Sequence, residues 1–74
     1  MKTKLVWKNG RWHCDGQGIH AGTGMELRGY DGEWFRVRIE SADNGRVLIA
    51  YLTVHELAFT FRIDPEYDRL RWPK

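Results

Sequence analysis

Hydrophobic and polar positions alternate with a period of two through most of the second half of this chain, and that alternation predicts strands rather than helices. From Glu33 to Glu40, Phe35, Val37 and Ile39 fall on one side while Trp34, Arg36, Arg38 and Glu40 fall on the other. Met25 and Leu27 alternate with Glu26 and Arg28 just before them. Leu57, Phe59, Phe61 and Ile63 share a side opposite Ala58, Thr60 and Arg62. Val47 to Leu52 is apolar on both sides, as expected of a strand that is covered twice or crosses a barrel corner. The pattern predicts strands near residues 3–7, 11–14, 24–30, 33–41, 46–52 and 57–63.

Asn9-Gly10, Asp31-Gly32 and Asn44-Gly45 separate these runs, and an Asx-Gly pair supplies the positive φ values that tight hairpins need. Short antiparallel strands at this spacing predict an all-β fold, a small SH3-like barrel of five to six strands, because closure hides the edges that would template aggregation. The last residues change character. Asp64 can cap a helix, Pro65 suits its first position and Glu66 its first turn. With Tyr67 and Leu70 on one face, the tail predicts a short helical turn over the barrel, stopped by Pro73. The organisation expected is one domain over 1–74, with 3–63 as barrel and 64–74 as capping tail.

A chain of 74 residues buries only about 60% of its unfolded surface, so its core must be compact. With 42% hydrophobic and 30% charged residues the balance is that of a folded globule. A formal net charge of +2 does not by itself mark a nucleic-acid or membrane binder. Arginine outnumbers lysine, and guanidinium groups stack on rings and fork onto carboxylates or phosphates where lysine is a flexible point charge. Cys14 is the only cysteine and cannot form an internal disulfide. The longest apolar run is too short to span a bilayer, and only Leu5, Val6 and Trp7 interrupt the polar start, so neither a membrane span nor a signal peptide is read. A cytoplasmic location is the resulting expectation.

Candidate chemistry is sparse. GQGIHA, residues 16–21, formally fits a dinucleotide-binding pattern, but that motif opens a helix and here a strand pattern follows. Cys14, His13, His20 and His55 are the soft metal ligands. The close pair is adjacent, so it points to opposite faces of a strand, and only a convergence of Cys14, His20 and His55 could form a site. Nucleophilic catalysis would need a base and an orienting group around Cys14 or Ser41, inside a cleft that a small barrel does not offer. Asp64, Glu66 and Asp68 read as helix capping and solvation. The expectation is a protein that is not an enzyme and has no cofactor and no metal.

The remaining constellation is aromatic and basic. Trp34, Arg36 and Arg38 share a strand face, and Arg28 and Tyr30 occupy the matching positions across the Asp31-Gly32 turn, so these five are the candidate binding residues. Two readings stand for Trp34: exposure among the arginines, or cover from the tail by Trp72 or Leu70. For the arginines the expectation is pairing across strands with Glu26 and Glu40. Trp7 and Trp12 flank the first turn as either a cross-strand pair or an exposed patch.

The run HAGTGMELRGYDGEWFRVRIE, with GRVLIAYL and FRI after it, resembles a small bacterial family of domains of unknown function. The positions that carry the pattern are His20, Gly22, Met25, Leu27, Gly32, Trp34, Arg38, Ile39 and Glu40, within residues 9–63. Glu33 departs from it, and the resemblance implies no activity. Asp31-Gly32-Glu33-Trp34-Phe35-Arg36 is also similar to a strand common in Tudor and other SH3-like modules. That similarity implies an aromatic cage of Tyr30, Trp34 and Tyr51, although Thr53-Val54-His55 stands where the family's acidic-aromatic-Gly-Asn segment would follow. The function expected is therefore a non-catalytic binding module for a protein or peptide partner. Single-stranded nucleic acid on the same face is an alternative, as is a phage or mobile-element accessory protein that inhibits a host enzyme by occlusion.

Overall fold

The alternating segments become eight β-strands in the computed structural model, which describes residues 5–74 and contains no helix among them. Strands β1 (Leu5–Lys8), β2 (Arg11–Cys14) and β3 (Gln17–Gly18) form an antiparallel sheet in the order β1-β2-β3. Strands β4 (Thr23–Arg28), β5 (Trp34–Ala42), β6 (Val47–Val54), β7 (Leu57–Arg62) and β8 (Leu70–Arg71) form a second one, in the order β7-β6-β5-β4-β8. Five of the six expected strands are present to within about two residues, and Thr3 and Lys4 of the first lie outside the described residues.

Turn chemistry sets the hairpins. Asn9 and Gly10, at φ 52° and 74°, close β1–β2 in two residues, the geometry whose twist matches the flanking strands. Asp43, Asn44 and Gly45 all take positive φ between β5 and β6. The Asp31-Gly32 pair lies in a longer connection, residues 29–33, where the Gly29 N–H donates to the Glu33 carbonyl at 2.7 Å and Asp31 Oδ1 accepts from the Glu33 N–H at 3.0 Å. A Cβ on Gly29 would stand 2.7 Å from the Phe35 ring, so any other residue there would have to push that ring aside. Two further two-residue turns are Asp15-Gly16, at φ 50° and 81°, and His55-Glu56, at φ 51° and 66°.

One face of the five-stranded sheet is apolar except at Thr23 and Ser41. Register aligns Met25 with Val37, Leu27 with Phe35 and with Leu70, Ile39 with Ala50, and Ala50 with Phe61. Leu5, Cys14 and Ile19 from the smaller sheet and its exit join Met25, Leu27, Val37, Ile39, Leu48, Ala50, Ile63 and Leu70 in one buried cluster. Each fully buried aliphatic side chain contributes roughly 1.5–3 kcal/mol. Trp12 fastens the smaller sheet by donating its Nε1–H to the Arg46 carbonyl at 2.9 Å, and Trp72 does so through the Cys14 carbonyl at 2.8 Å. Trp7 and Trp12 meet edge to face, centroids 5.3 Å apart, so the cross-strand pair is the reading that forms.

Two expectations are corrected. No closed barrel forms among the described residues. β7 and β8 end the larger sheet on opposite sides, and the smaller sheet covers its face instead of joining its edges. The expected C-terminal helical turn is absent too. Asp64 does cap a turn, accepting from the Glu66 N–H at 3.0 Å through Oδ1 and from the Asp68 N–H at 2.8 Å through its carbonyl. The chain then extends, because β4 offers a free edge. The Arg28 N–H donates to the Arg69 carbonyl at 3.1 Å, and Leu70-Arg71 pairs with Glu26 and Leu27. Continued helix would leave those backbone groups unpaired and pull Leu70, which is fully buried, off the core.

Candidate functional site

The opposite face of the five-stranded sheet collects charge. Because paired residues share a face, Arg28 beside Trp34, Glu26 beside both Arg36 and Arg71, Arg38 beside Tyr51, and Arg62 beside Ile49 stand on one surface. Four of the expected binding residues, Arg28, Trp34, Arg36 and Arg38, are thus brought together. Tyr30 is not. The 29–33 connection begins before it, lifts it off the strand and leaves it fully exposed at the hairpin tip.

The carboxylates on this face are already engaged. Glu26 Oε1 takes Arg71 Nε at 2.7 Å, and Glu40 Oε2 takes Arg38 Nε at 2.8 Å along its own strand. Arg28, Arg36 and Arg62 are exposed and have no ion pair among the described residues. The cross-strand pairing expected for the arginines therefore occurs only at Glu26, and with an arginine from β8. Trp34 is half-buried and covered by the tail, but its cover is Arg71, whose guanidinium carbon lies 4.0 Å from the ring centroid, rather than Trp72 or Leu70. Arg38 lies over Tyr51 at 5.1 Å in the same way.

The implied aromatic cage is not assembled. Tyr51 stands opposite Arg38, four positions from Trp34 along the strand and so about 13 Å away, while Tyr30 turns toward the other side of the sheet. Metal ligation fares no better. Cys14 is fully buried and donates its thiol to the Leu70 carbonyl at 3.5 Å, His20 is held by Arg11 Nη1 at 2.6 Å from Nδ1, and His55 sits in the β6–β7 turn. No cluster of three or more His, Cys, Asp or Glu groups able to hold a metal occurs among the described residues. Burial, with Asp15 adding to it, pushes the Cys14 thiol up from 9.0 to about 11, the reverse of an activated nucleophile. Residues 16–21 form β3 and a connection, with no helix for a phosphate to meet.

A second surface was hidden in the alternation. The smaller sheet covers only part of the apolar face, and Phe35, Val54, Leu57, Phe59 and Phe61 stay between 36% and 62% exposed. Next to them a trough of about 810 Å³ has Leu27, Phe35, Leu52 and Phe61 as its floor and Tyr30 and Tyr67 on its rim. Alternation correctly assigns these side chains to the core side of their strands, yet it carries no record of how far the cover extends. No helix among the described residues is long and apolar enough to cross a membrane.

Comparison with known proteins gives no match: no family model fits the chain, and no curated protein or solved structure is significantly similar to it.

Proposed function

We propose that the protein is a non-catalytic, cytoplasmic binding module that engages a carboxylate-bearing protein or peptide through Arg28, Arg36 and Arg38, with Trp34 in the floor of the site and Tyr30, which the connection carries off this face, outside it. The observation that carries this reading is the exposure of Arg28 and Arg36 on one sheet face with no carboxylate partner among the described residues. A partner's Asp or Glu would meet guanidinium forks there without first breaking an ion pair. Single-stranded nucleic acid fits the face less well. Bases need free ring faces to stack on, whereas Arg71 and Arg38 already lie over Trp34 and Tyr51.

Binding to a Glu-rich peptide and to an oligothymidylate, followed by fluorescence anisotropy over a salt series, tests the proposal. The peptide binds, and Arg28→Glu with Arg36→Glu weakens it at least tenfold while the far-ultraviolet spectrum stays unchanged. Peptide binding that survives the double variant overturns the assignment. Tight oligonucleotide binding with a steep salt dependence, and none to the peptide, replaces it with the nucleic-acid alternative.

A further inference from the structure

We infer that β7 pairs antiparallel with β7 of a second copy of this chain, joining two five-stranded sheets across a two-fold axis at Thr60. β7 ends the larger sheet, and among the described residues no strand lies on its outer side. Proteins usually guard such an edge with Pro, Lys, a bulge or an extremely short strand. Leu57-Ala58-Phe59-Thr60-Phe61-Arg62 has no Pro, Lys or bulge, its one charge, Arg62, stands at its end, and it runs in unbroken register with β6 over six residues. The opposite edge, β8, is only two residues long. The unguarded edge is thus the one beside the uncovered apolar side chains.

The pattern of free backbone groups selects the register. The two-residue His55-Glu56 turn makes Val54 and Leu57 a hydrogen-bonded pair, and the Ile63 N–H donates to the Leu48 carbonyl at 2.8 Å. By alternation Leu57, Phe59, Phe61 and Ile63 direct their backbone toward β6, so Ala58, Thr60 and Arg62 direct theirs outward. Pairing Thr60 with its own copy lets all of these outward groups exchange bonds, Ala58 with Arg62 and Thr60 with Thr60.

Side chains agree with that register from both sides of the sheet. A two-fold axis normal to the sheet keeps the apolar faces together, so Phe59 lies opposite Phe61 of the second copy at the close, non-hydrogen-bonded positions that favour aromatic pairs. Leu57, the most exposed of the apolar corner, comes beside Ile63 of the second copy, which is buried. The uncovered half of one face therefore lies along the covered half of the other. On the opposite side Arg62, with no ion pair among the described residues, becomes the diagonal neighbour of Glu56 of the second copy, where it offsets the repulsion from Asp64, which the same register sets opposite that Glu56. Coplanar pairing covers the flanks of these side chains and the two strand edges while the joined apolar face stays open, which puts the interface at the small, weakly associating end of the range. An unrelated peptide could add to the same edge, but it would have to reproduce both the aromatic pairs and the charge order.

Sedimentation equilibrium over a concentration series tests the dimer. The mass rises from 8.8 kDa toward twice that value. Thr60→Pro deletes an outward N–H that the β6 ladder does not use, so it raises the dimer dissociation constant at least tenfold and leaves the circular dichroism spectrum unchanged. A short bismaleimide, which spans the wider separation of a hydrogen-bonded pair, cross-links Thr60→Cys across the axis, while the wild type, whose only thiol is buried, is not cross-linked. A wild-type mass that stays at 8.8 kDa into the hundreds of micromolar overturns the inference. So does a dimer in which Thr60→Cys fails to cross-link, because it must then use another surface.

Discussion

At Cys14 the fold encloses a thiol so completely that its chemistry reverses. With its pKa lifted from 9.0 to about 11 by burial and then by Asp15, the folded chain keeps the thiol neutral over a range where the unfolded chain ionises it. A raised acid pKa contributes stability that is complete below pH 9, and the contribution is lost as pH rises from 9 to about 11. At roughly 1.4 kcal/mol per unit, the loss is about 2–3 kcal/mol. Urea unfolding at pH 8 and pH 10.5 should show a steeper decline for the wild type than for Cys14→Ala, and equal declines would refute the assignment. A lone cysteine in the sequence identified the absence of a disulfide and nothing more about its surroundings. The environment of Trp34 was equally illegible. Its cover is the guanidinium of Arg71, which reaches it only because the tail pairs with β4.

Among the elements, the β6–β7 hairpin carries the clearest local strain. His55 and Glu56 both hold positive φ in a two-residue turn that ordinarily takes Asn-Gly, and a non-glycine residue there costs on the order of 1 kcal/mol or more. Replacing the pair, His55→Asn with Glu56→Gly, should raise stability by about 1–2 kcal/mol, read as a higher urea midpoint at unchanged slope. An unchanged midpoint would mean that the strain is relieved elsewhere. The hairpins marked by Asn9-Gly10, Asp31-Gly32 and Asn44-Gly45 were legible from the sequence, since their chemistry is local, whereas the Asp15-Gly16 turn and the five-residue length of the connection around Asp31-Gly32 were not read from it. Val54-His55-Glu56-Leu57 bears no such mark, and its turn is imposed by the pairing of Leu52 with Phe59 and Val54 with Leu57. The tail failed for a related reason. Asp64, Pro65 and Glu66 do encode a capped turn, but the free edge of β4 outweighs the propensity to continue it.

For the whole molecule, the alternation revealed which side chains share a face and left open how the sheets enclose it. With a radius of gyration of 11.7 Å, against about 11 Å expected for this length, the chain is as compact as an ordinary domain despite one open corner. The enclosure depends on a few contacts from distant sequence, and Leu70 is the foremost of them, with no exposed surface and register against Leu27. Leu70→Ala should cost about 2–5 kcal/mol, much of the roughly 4–11 kcal/mol available to a chain of this size. Urea titration would check this, and a loss below 1 kcal/mol would mean that the tail is not part of the cooperative core. The arginine face was largely legible because it needs only parity along β4 and β5. Tyr30 left it because five residues, not two, connect those strands.

The uneven cover has a consequence in time as well as in space. Amides near Ile39, Ala50 and Val37 lie beneath side chains with almost no exposed surface, so their protons can exchange with solvent only when the whole chain opens. Those around Thr53 to Ala58 sit where every residue is exposed and the turn is strained, and they can exchange through a local opening that leaves the rest intact. A single sheet with continuous hydrogen bonding thus contains two kinetic compartments, one governed by global unfolding and one by the fraying of a hairpin.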